Sequence, residues 1–397
     1  MSRNGITESL PSYFEELPTE TIWMIASLCN HKTIAALAAT SSHIRLKVLL
    51  RIHRKIRLTG HQNSLEGQLN DFLEHHTPIK PRVCSTSTIR SATISVFEKP
   101  EENIIWAGLY AGANSRPTLL ETRRTLPISE VLQAMPNLRS LSLHLKFLDP
   151  LQELELYDGM QKAGDTEVQY LRIDSSMRVM EKLLGSCPAL TTLDIDHAVT
   201  LEQLQNIPPS VKRLAVTLHL DTNNSMVWIP SLCVENIRHI VRLNSGLEEL
   251  ILRDSEKNFS PFDRSAIEDG RGLDELFKDT FYEAVEELSQ LPNLKQLAIC
   301  VWKSVPLQIL NHTQRFLLNK HEWYKDWYQD CLRRLGEALP HLQRICILCD
   351  FPYFWQGTRR MPEGTLFTQE IMKGDRQTFP GTFERYSLEL ELPMAQW

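Results

Sequence analysis

One eight-residue string recurs along this chain of 397 residues and constrains its fold more than any other feature. The string is Pro-x-h-x-x-h-x-h, where h is apolar. Copies start at Pro136, Pro188, Pro209, Pro292 and Pro340, and Ser245 opens a sixth in place of proline. Two weaker copies without proline cover residues 89–94 and 168–173. With 21 prolines in the whole chain, five at one offset are not an accident of composition. Each copy ends in apolar–polar alternation, the two-residue period of a strand. Helical stretches at 128–135 and 284–291 lead into two of the copies, and a proline pushes the residue before it out of the α region. Each unit therefore reads as helix, turn, strand. Stacked units of that kind place parallel strands on one face and helices on the other. An ordinary α/β domain with a parallel sheet satisfies the same pattern.

The first apolar residues of the copies are 89, 138, 168, 190, 211, 247, 294 and 342, and the steps between them run from 21 to 49 residues. The long steps carry inserted loops, longer helices or a further unit. One insert, 253–282, is charged and turn-rich, with Ser260-Pro261 and Gly270 and Gly272; it reads as a surface loop leading into a helix. Residues 316–339 read as a helix with Trp323, Tyr324, Trp327 and Tyr328 paired at i, i+4. After 350 the chain is rich in aromatics, and the alternation at 386–392 predicts a closing strand.

The N-terminal part has a different rhythm. Pro18 suits a first helical turn, where its missing N–H is not needed, and Glu20 then sits at the positive end of the helix dipole. Ile22, Ile25 and Leu28 are read as one apolar face, Ile34 and Leu37 as a second short helix, and Ser41 or Ser42 as the cap of a third carrying Ile44, Val48 and Ile52. Three helices this short enclose little core, so apolar surface is left for a partner or for the next domain. Arg45 to Arg57 holds six basic residues and no acid, and reads as a solvated helix face linking the two parts.

Residues 17–45, with Leu17-Pro18, Glu20, Ile22, Ile25, Leu28, Ile34 and Leu37, resemble an F-box, the helical module that docks a protein onto the adaptor of an SCF-type ubiquitin ligase. Thr21 and Cys29 stand where that family carries apolar residues. The recurring string resembles the Leu-x-x-Leu-x-Leu signature of leucine-rich repeats in a degenerate form: the Asn that often follows the family's strand is absent. Irregular repeats, together with Thr40-Ser41-Ser42, resemble the fungal F-box set. The fold class implied is α/β, a short three-helix F-box followed by an irregular leucine-rich-repeat solenoid. The layout implied is a flexible stretch at 1–16, the F-box and a basic linker helix at 17–58, a linker at 59–82, the repeats at 83–350 and a cap at 351–397.

By this resemblance the chain is a substrate-recognition subunit and not an enzyme. It binds a Skp-type adaptor, and through it a cullin scaffold, by the eight residues just named. It holds a target protein on the exposed strand positions: Arg139, Ser140, Ser142 and His144; Thr191, Thr192, Asp194 and Asp196; Lys212, Arg213 and Thr217; Glu248, Glu249 and Arg253; Lys295 and Gln296; Gln343 and Arg344. A scaffold or sequestering factor that promotes no ubiquitination fits the same residues.

Composition sets outer bounds. A net charge of −6 gives no electrostatic footprint for nucleic acid. The first 16 residues lack an apolar signal core and the eight cysteines are scattered, which points to reduced thiols and a cytoplasmic or nuclear protein, with no membrane partner. No phosphate-binding glycine loop, metalloprotease helix or nucleophile elbow occurs, so no cofactor is expected. Cys346 and Cys349 have the spacing of a redox or zinc pair but lack a second pair; they read as structural thiols. His75-His76 reads as a polar loop.

Overall fold

The computed structural model describes residues 13–14, 16–29, 31–52, 55–76, 86–97, 126–163, 165–218, 234–254, 282–300, 320–348, 353–359 and 367–372. They divide between two compact units, Met1–Val168 and Gln169–Trp397. Both are mixed α/β with parallel strands.

The first unit opens with α1 (Thr19–Leu28), α2 (His31–Thr40) and α3 (Ser42–Ile52). Pro18 is the residue before the first turn of α1. Ser41, not Ser42, caps α3: its Oγ accepts the Ile44 N–H at 3.1 Å, satisfying a backbone donor that a helix start otherwise leaves unpaired. Then come β1 (Lys55–Gly60), α4 (Gln62–His76), a short 3-10 turn at Thr86–Thr88, β2 (Ser91–Val96), α5 (Ile128–Gln133), β3 (Ser140–His144) and α6 (Pro150–Ala163). The strands pair in parallel in the order β1-β2-β3.

Two expectations need correction here. The stretch 59–82, read as a linker, contains α4, because Leu65, Leu69 and Phe72 recur at helical spacing and are all buried. The basic run to Arg57, read as helix throughout, leaves the helix after Ile52. Lys55 and Arg57 are exposed and alternate with half-buried Ile56 and Leu58, the pattern of a strand with one face covered.

The second unit carries β4 (Tyr170–Asp174), α7 (Met177–Gly185), β5 (Thr192–Val199), α8 (Leu201–Leu204), β6 (Arg213–Leu218), α9 (Val234–Leu243), β7 (Glu249–Asp254), α10 (residues 282–288), β8 (Gln296–Cys300), α11 (Lys320–Ala338), β9 (Arg344–Leu348), β10 (Tyr353–Thr358) and β11 (Phe367–Met372). Strands β4 to β9 pair in parallel in chain order. β10 runs antiparallel to β9, and β11 antiparallel to β10. The closing strands among the described residues are thus β10 and β11; the expected strand at 386–392, most of the 253–282 insert and nearly all of 1–16 lie outside the described residues. Within α11 only the backbone is described at the four paired aromatics.

The recurring string has a mechanical explanation. At all eight copies the strand begins two residues after the first apolar residue, from Ile89 to Leu342. Seven of those residues close a backbone turn onto the residue three before: Ile89 to Thr86, Leu138 to Met135, Leu190 to Cys187, Val211 to Pro208, Leu247 to Asn244, Leu294 to Leu291, and Leu342 to Leu339, at 3.1–3.3 Å. The repeated proline is the second residue of this turn, where a fixed φ is favourable and no N–H is required. Leaving the turn, two successive N–H groups then converge on one carbonyl of the preceding unit. Arg139 and Ser140 do so on Arg90, Lys212 and Arg213 on Thr191, Glu248 and Glu249 on Lys212, and Gln343 and Arg344 on Lys295. Buried Asn244 adds a side-chain bond to the Val211 carbonyl at 2.7 Å.

The apolar positions of the string are the core. Leu193, Ile195, Leu214, Val216, Leu250, Leu252, Leu297, Ile299, Ile345 and Ile347 are all buried. So are Val179 and Leu183 of α7 and Ile237 and Val241 of α9, each pair four residues apart on one helix side. Among the described residues no helix is long and apolar enough to cross a membrane.

Candidate docking surface and buried charge cluster

Ile22 and Ala26 are four residues apart in α1 and therefore nearly in line. Both are buried, together with Ala38, Ile44 and Val48, and Phe14, Leu17, Ile34 and Leu37 pack around them. Glu20, Met24 and Leu28 repeat the same spacing about 200° round the helix. All three face outward, with Met24 62% and Leu28 89% exposed. Trp23, 36% exposed, lies beside them. Its indole N–H donates to the Lys47 carbonyl of α3 at 2.7 Å, and Lys47 Nζ donates to the Leu17 carbonyl at 2.8 Å. These bonds hold α1 on α3 and fix the indole in place.

The eight residues expected to contact an adaptor are therefore divided. Ile22 fills the module's own core. Leu17, Ile34 and Leu37 are packing residues with one side showing, and Ile25 is half-buried. Pro18, Glu20 and Leu28 are exposed. Ile22 and Leu28 do not share a face, because six residues of helix turn about 600° and leave them about 120° apart. Trp23 and Met24 were missed; the four-residue step from Glu20 through Met24 to Leu28 was the available signal.

On the sheet of the second unit, the strand residues that alternate with the core form rows. Thr192, Arg213, Glu249, Gln296 and Arg344 make one row at the strand entrances, all half-buried. Glu249 Oε1 accepts from Gln296 at 3.2 Å and lies 3.7 Å from Arg213 Nε. Burial, against the pull of Arg213, pushes the Glu249 carboxyl up to about 6. Just outside the row, Glu248 bridges Lys212 at 3.3 Å and Lys295 at 2.8 Å. The hydrogen bond from Lys295 is the largest influence holding Glu248 below the ordinary range.

The charged positions of the next two rows, Arg172 and Asp194 in one and Arg253 level with Thr217 in the other, are not a solvent surface. Asp194 and Arg253, expected to be open to a target, are buried, as is Arg172 of β4. Arg172 Nε donates to Asp196 Oδ2 at 2.7 Å and lies 3.6 Å from Asp194 Oδ2. Arg253 donates to Asp194 Oδ1, to Asp196 Oδ1 at 2.9 Å and to the Ile195 carbonyl at 2.9 Å. The physical reason for their burial together is neutrality: two guanidiniums and two carboxylates leave no net charge in a poorly solvated place. Burial pushes Asp194 up and opposes the charge on Arg172, but the Asp196 and Asp194 carboxylates keep Arg172 firmly protonated. Burial and then Asp194 drive the neighbouring Tyr170 phenol upward as well. The register of β5 on β6 shifts between Ile195 and Ala198, so Asp196 and His197 are extra residues on the bulged strand, and Arg253 binds both Asp196 and the Ile195 carbonyl there.

Arg172 was missing from the expected set, although aligning the units puts it level with Asp194. The remaining predicted target residues stay at or near the surface. Arg139, Ser140, Ser142, His144, Asp196 and Thr217 are half-buried, with Ser142 Oγ 3.2 Å from His144 Nε2; Thr191, Lys212, Lys295 and Gln343 are exposed. Cys346 is buried; burial pushes its thiol up to about 12, and Cys349 lies outside the described residues. No group of three or more His, Cys, Asp or Glu side chains able to hold a metal ion occurs among the described residues. The charge cluster is closed and internally compensated, so its chemistry is that of a clamp between strands. No protein-family model matches the chain, and no curated protein matches it.

Proposed function

We propose that this chain is a substrate-recognition subunit of an SCF-type ubiquitin ligase, docking to a Skp-type adaptor through an F-box-like N-terminal module. The observation that carries this reading is the outer side of α1. A module of three short helices spends Ile22 and Ala26 on its own core and turns Met24 and Leu28 to solvent with Trp23 anchored beside them. Large apolar side chains held outward on a small helical unit favour a protein partner.

The repeated turn-and-strand unit supports the leucine-rich-repeat-like half of the proposal. In this reading the units continue as an irregular solenoid, and a target lies across the entrance row of Thr192, Arg213, Glu249 and Arg344. The function is then one of proximity: the adaptor and cullin bring a charged conjugating enzyme near lysines of the held target, and no residue of this chain touches the reacting bond.

The test is adaptor binding by the full-length chain and by Met24→Asp with Leu28→Asp. Both positions are exposed, so the variant keeps its fold, verified by an unchanged melting curve. The proposal expects binding by the parent and its loss in the variant. A folded parent that binds no Skp-type adaptor, or a variant that binds as well as the parent, overturns it. A truncation used as a control must end before Lys55, because β1 belongs to the sheet.

A further inference from the structure

A second group of exposed apolar side chains lies away from α1, where β2 and β3 end. Phe97 follows β2, Phe147 lies three residues beyond β3, and Leu151 and Leu154 lie in the first turns of α6; all four are exposed. They are held out by a built support. Phe97 N–H donates to the Gly60 carbonyl at 2.9 Å, and His61 Nδ1 lies 3.3 Å from the Phe97 carbonyl. Gln62 Nε2 donates to the Phe147 carbonyl at 3.0 Å and to Gln152 Oε1 at 3.2 Å. The Asp149 carboxylate accepts the N–H groups of Leu151 and Gln152 at 2.8 and 2.9 Å, fixing the start of α6. The residues that end β1 and begin α4 thus pin the backbone at both phenylalanines, and one of them reaches the first turn of α6.

The outward side of α6 continues the patch with a change of character. Leu151, Leu154, Glu155 and Asp158 all face solvent, while Gln152, Leu156 and Met160 face inward. Glu155 and Asp158 make no ion pair among the described residues. Lys146, alongside, has its Nζ 5.9 Å from the Phe147 ring centroid. Apolar residues beside acids that make no ion pair among the described residues, on one side of a helix, complement a partner helix with apolar anchors at i, i+3, i+4 and basic residues beside them.

We infer that the ends of β2 and β3 and the outer side of α6 form a docking surface for an amphipathic helix carrying apolar and basic side chains. The surface is independent of the α1 face and of any adaptor.

The test uses the full-length chain and two labelled helical peptides of one apolar pattern, leucine with lysine and leucine with glutamate, read by fluorescence anisotropy at low salt. The leucine–lysine peptide should bind about tenfold or more tighter than its acidic counterpart. Phe147→Ser with Leu154→Ser should weaken it about tenfold or more, and Glu155→Lys with Asp158→Lys should remove the preference for the basic peptide. Equal binding of the two peptides, or basic-peptide binding unchanged in both variants, overturns the inference. So does a concentration-dependent dimer in sedimentation that disappears with Leu154→Ser, since the occupant is then a second copy of this chain.

Discussion

Arg253 of β7 bonds Asp194 of β5 across a strand that carries neither of them. β6 runs between, and its residue level with Asp194 is Ala215, which is itself buried. Only a small side chain leaves room for a guanidinium to cross at that level. Arg253→Met leaves two carboxylates with one cation, and should cost about 3–5 kcal/mol in urea unfolding. Arg253→Met with Asp194→Leu should be more stable than Arg253→Met alone, because the uncompensated buried charge is gone. A single variant within about 0.5 kcal/mol of the parent shows that the cluster is solvated and the argument wrong.

Ala215→Leu tests the crossing itself. Overpacking predicts a loss of about 1–3 kcal/mol in the parent, and a smaller loss when Arg253 is already Met. Equal losses in the two backgrounds mean that Arg253 does not depend on the space above Ala215.

Two glycines should answer the same substitution with opposite signs. A Cβ on Gly159 of α6 collides with Ser129 Oγ and comes within 2.5 Å of Ser129 Cβ, and Ser129 is buried. Gly159→Ala should therefore destabilise by about 1–3 kcal/mol. Gly67 in α4 has nothing within 4 Å, so Gly67→Ala should stabilise by about 0.5–1 kcal/mol through the unfolded chain and helix propensity. Melting curves of the two variants shifting in the same direction would contradict this.

Glu249 sets a pH window. Its carboxyl moves from 4.5 to about 6 on folding, so the folded chain holds this proton more tightly than the unfolded one. The associated stability is fully present below 4.5 and is lost as pH rises through about 6. Glu249→Gln should flatten the stability profile in that interval. Carboxyl-carbon NMR measures the value directly, and Arg213→Met should raise it further, because Arg213 pulls it down. A titration midpoint at or below 4.5 refutes the burial argument.

Cys346 should resist alkylation while the chain is folded. With its thiol pushed up to about 12 and its side chain buried, almost no thiolate is available at neutral pH. Mass spectrometry should find it labelled by iodoacetamide only after denaturation; prompt labelling of the native chain would place Cys346 at an open and reactive site.

The unit boundaries were legible because they depend on local chemistry. A proline at one turn position and three apolar residues at fixed offsets determine where a turn closes and a strand starts, and both are satisfied within eight consecutive residues. The helix α4 and strand β1 were equally local but masked by charge. Lys55 and Arg57 drew attention to a basic helix, while the alternation of Ile56 and Leu58 carried the strand signal.

By itself, then, the sequence determined the positions of the eight repeated strands and which of their residues turn inward, since both follow from turn geometry and a two-residue period. Only the tertiary structure decided what the other face does. Strand alternation places Asp194, Arg253 and Glu249 at equally outward positions, and nothing in the string distinguishes them. Long-range pairing brought Arg172 and Arg253 to Asp194 and to the half-buried Asp196 as a neutral group and buried the other three, while Glu249 stayed half-open beside Arg213. In α1 likewise, the apolar residues were visible at once, but packing against α3 determined that Ile22 is core and Leu28 is surface. Burial of a polar or charged group depends on partners far apart in the chain, and no local pattern encodes them.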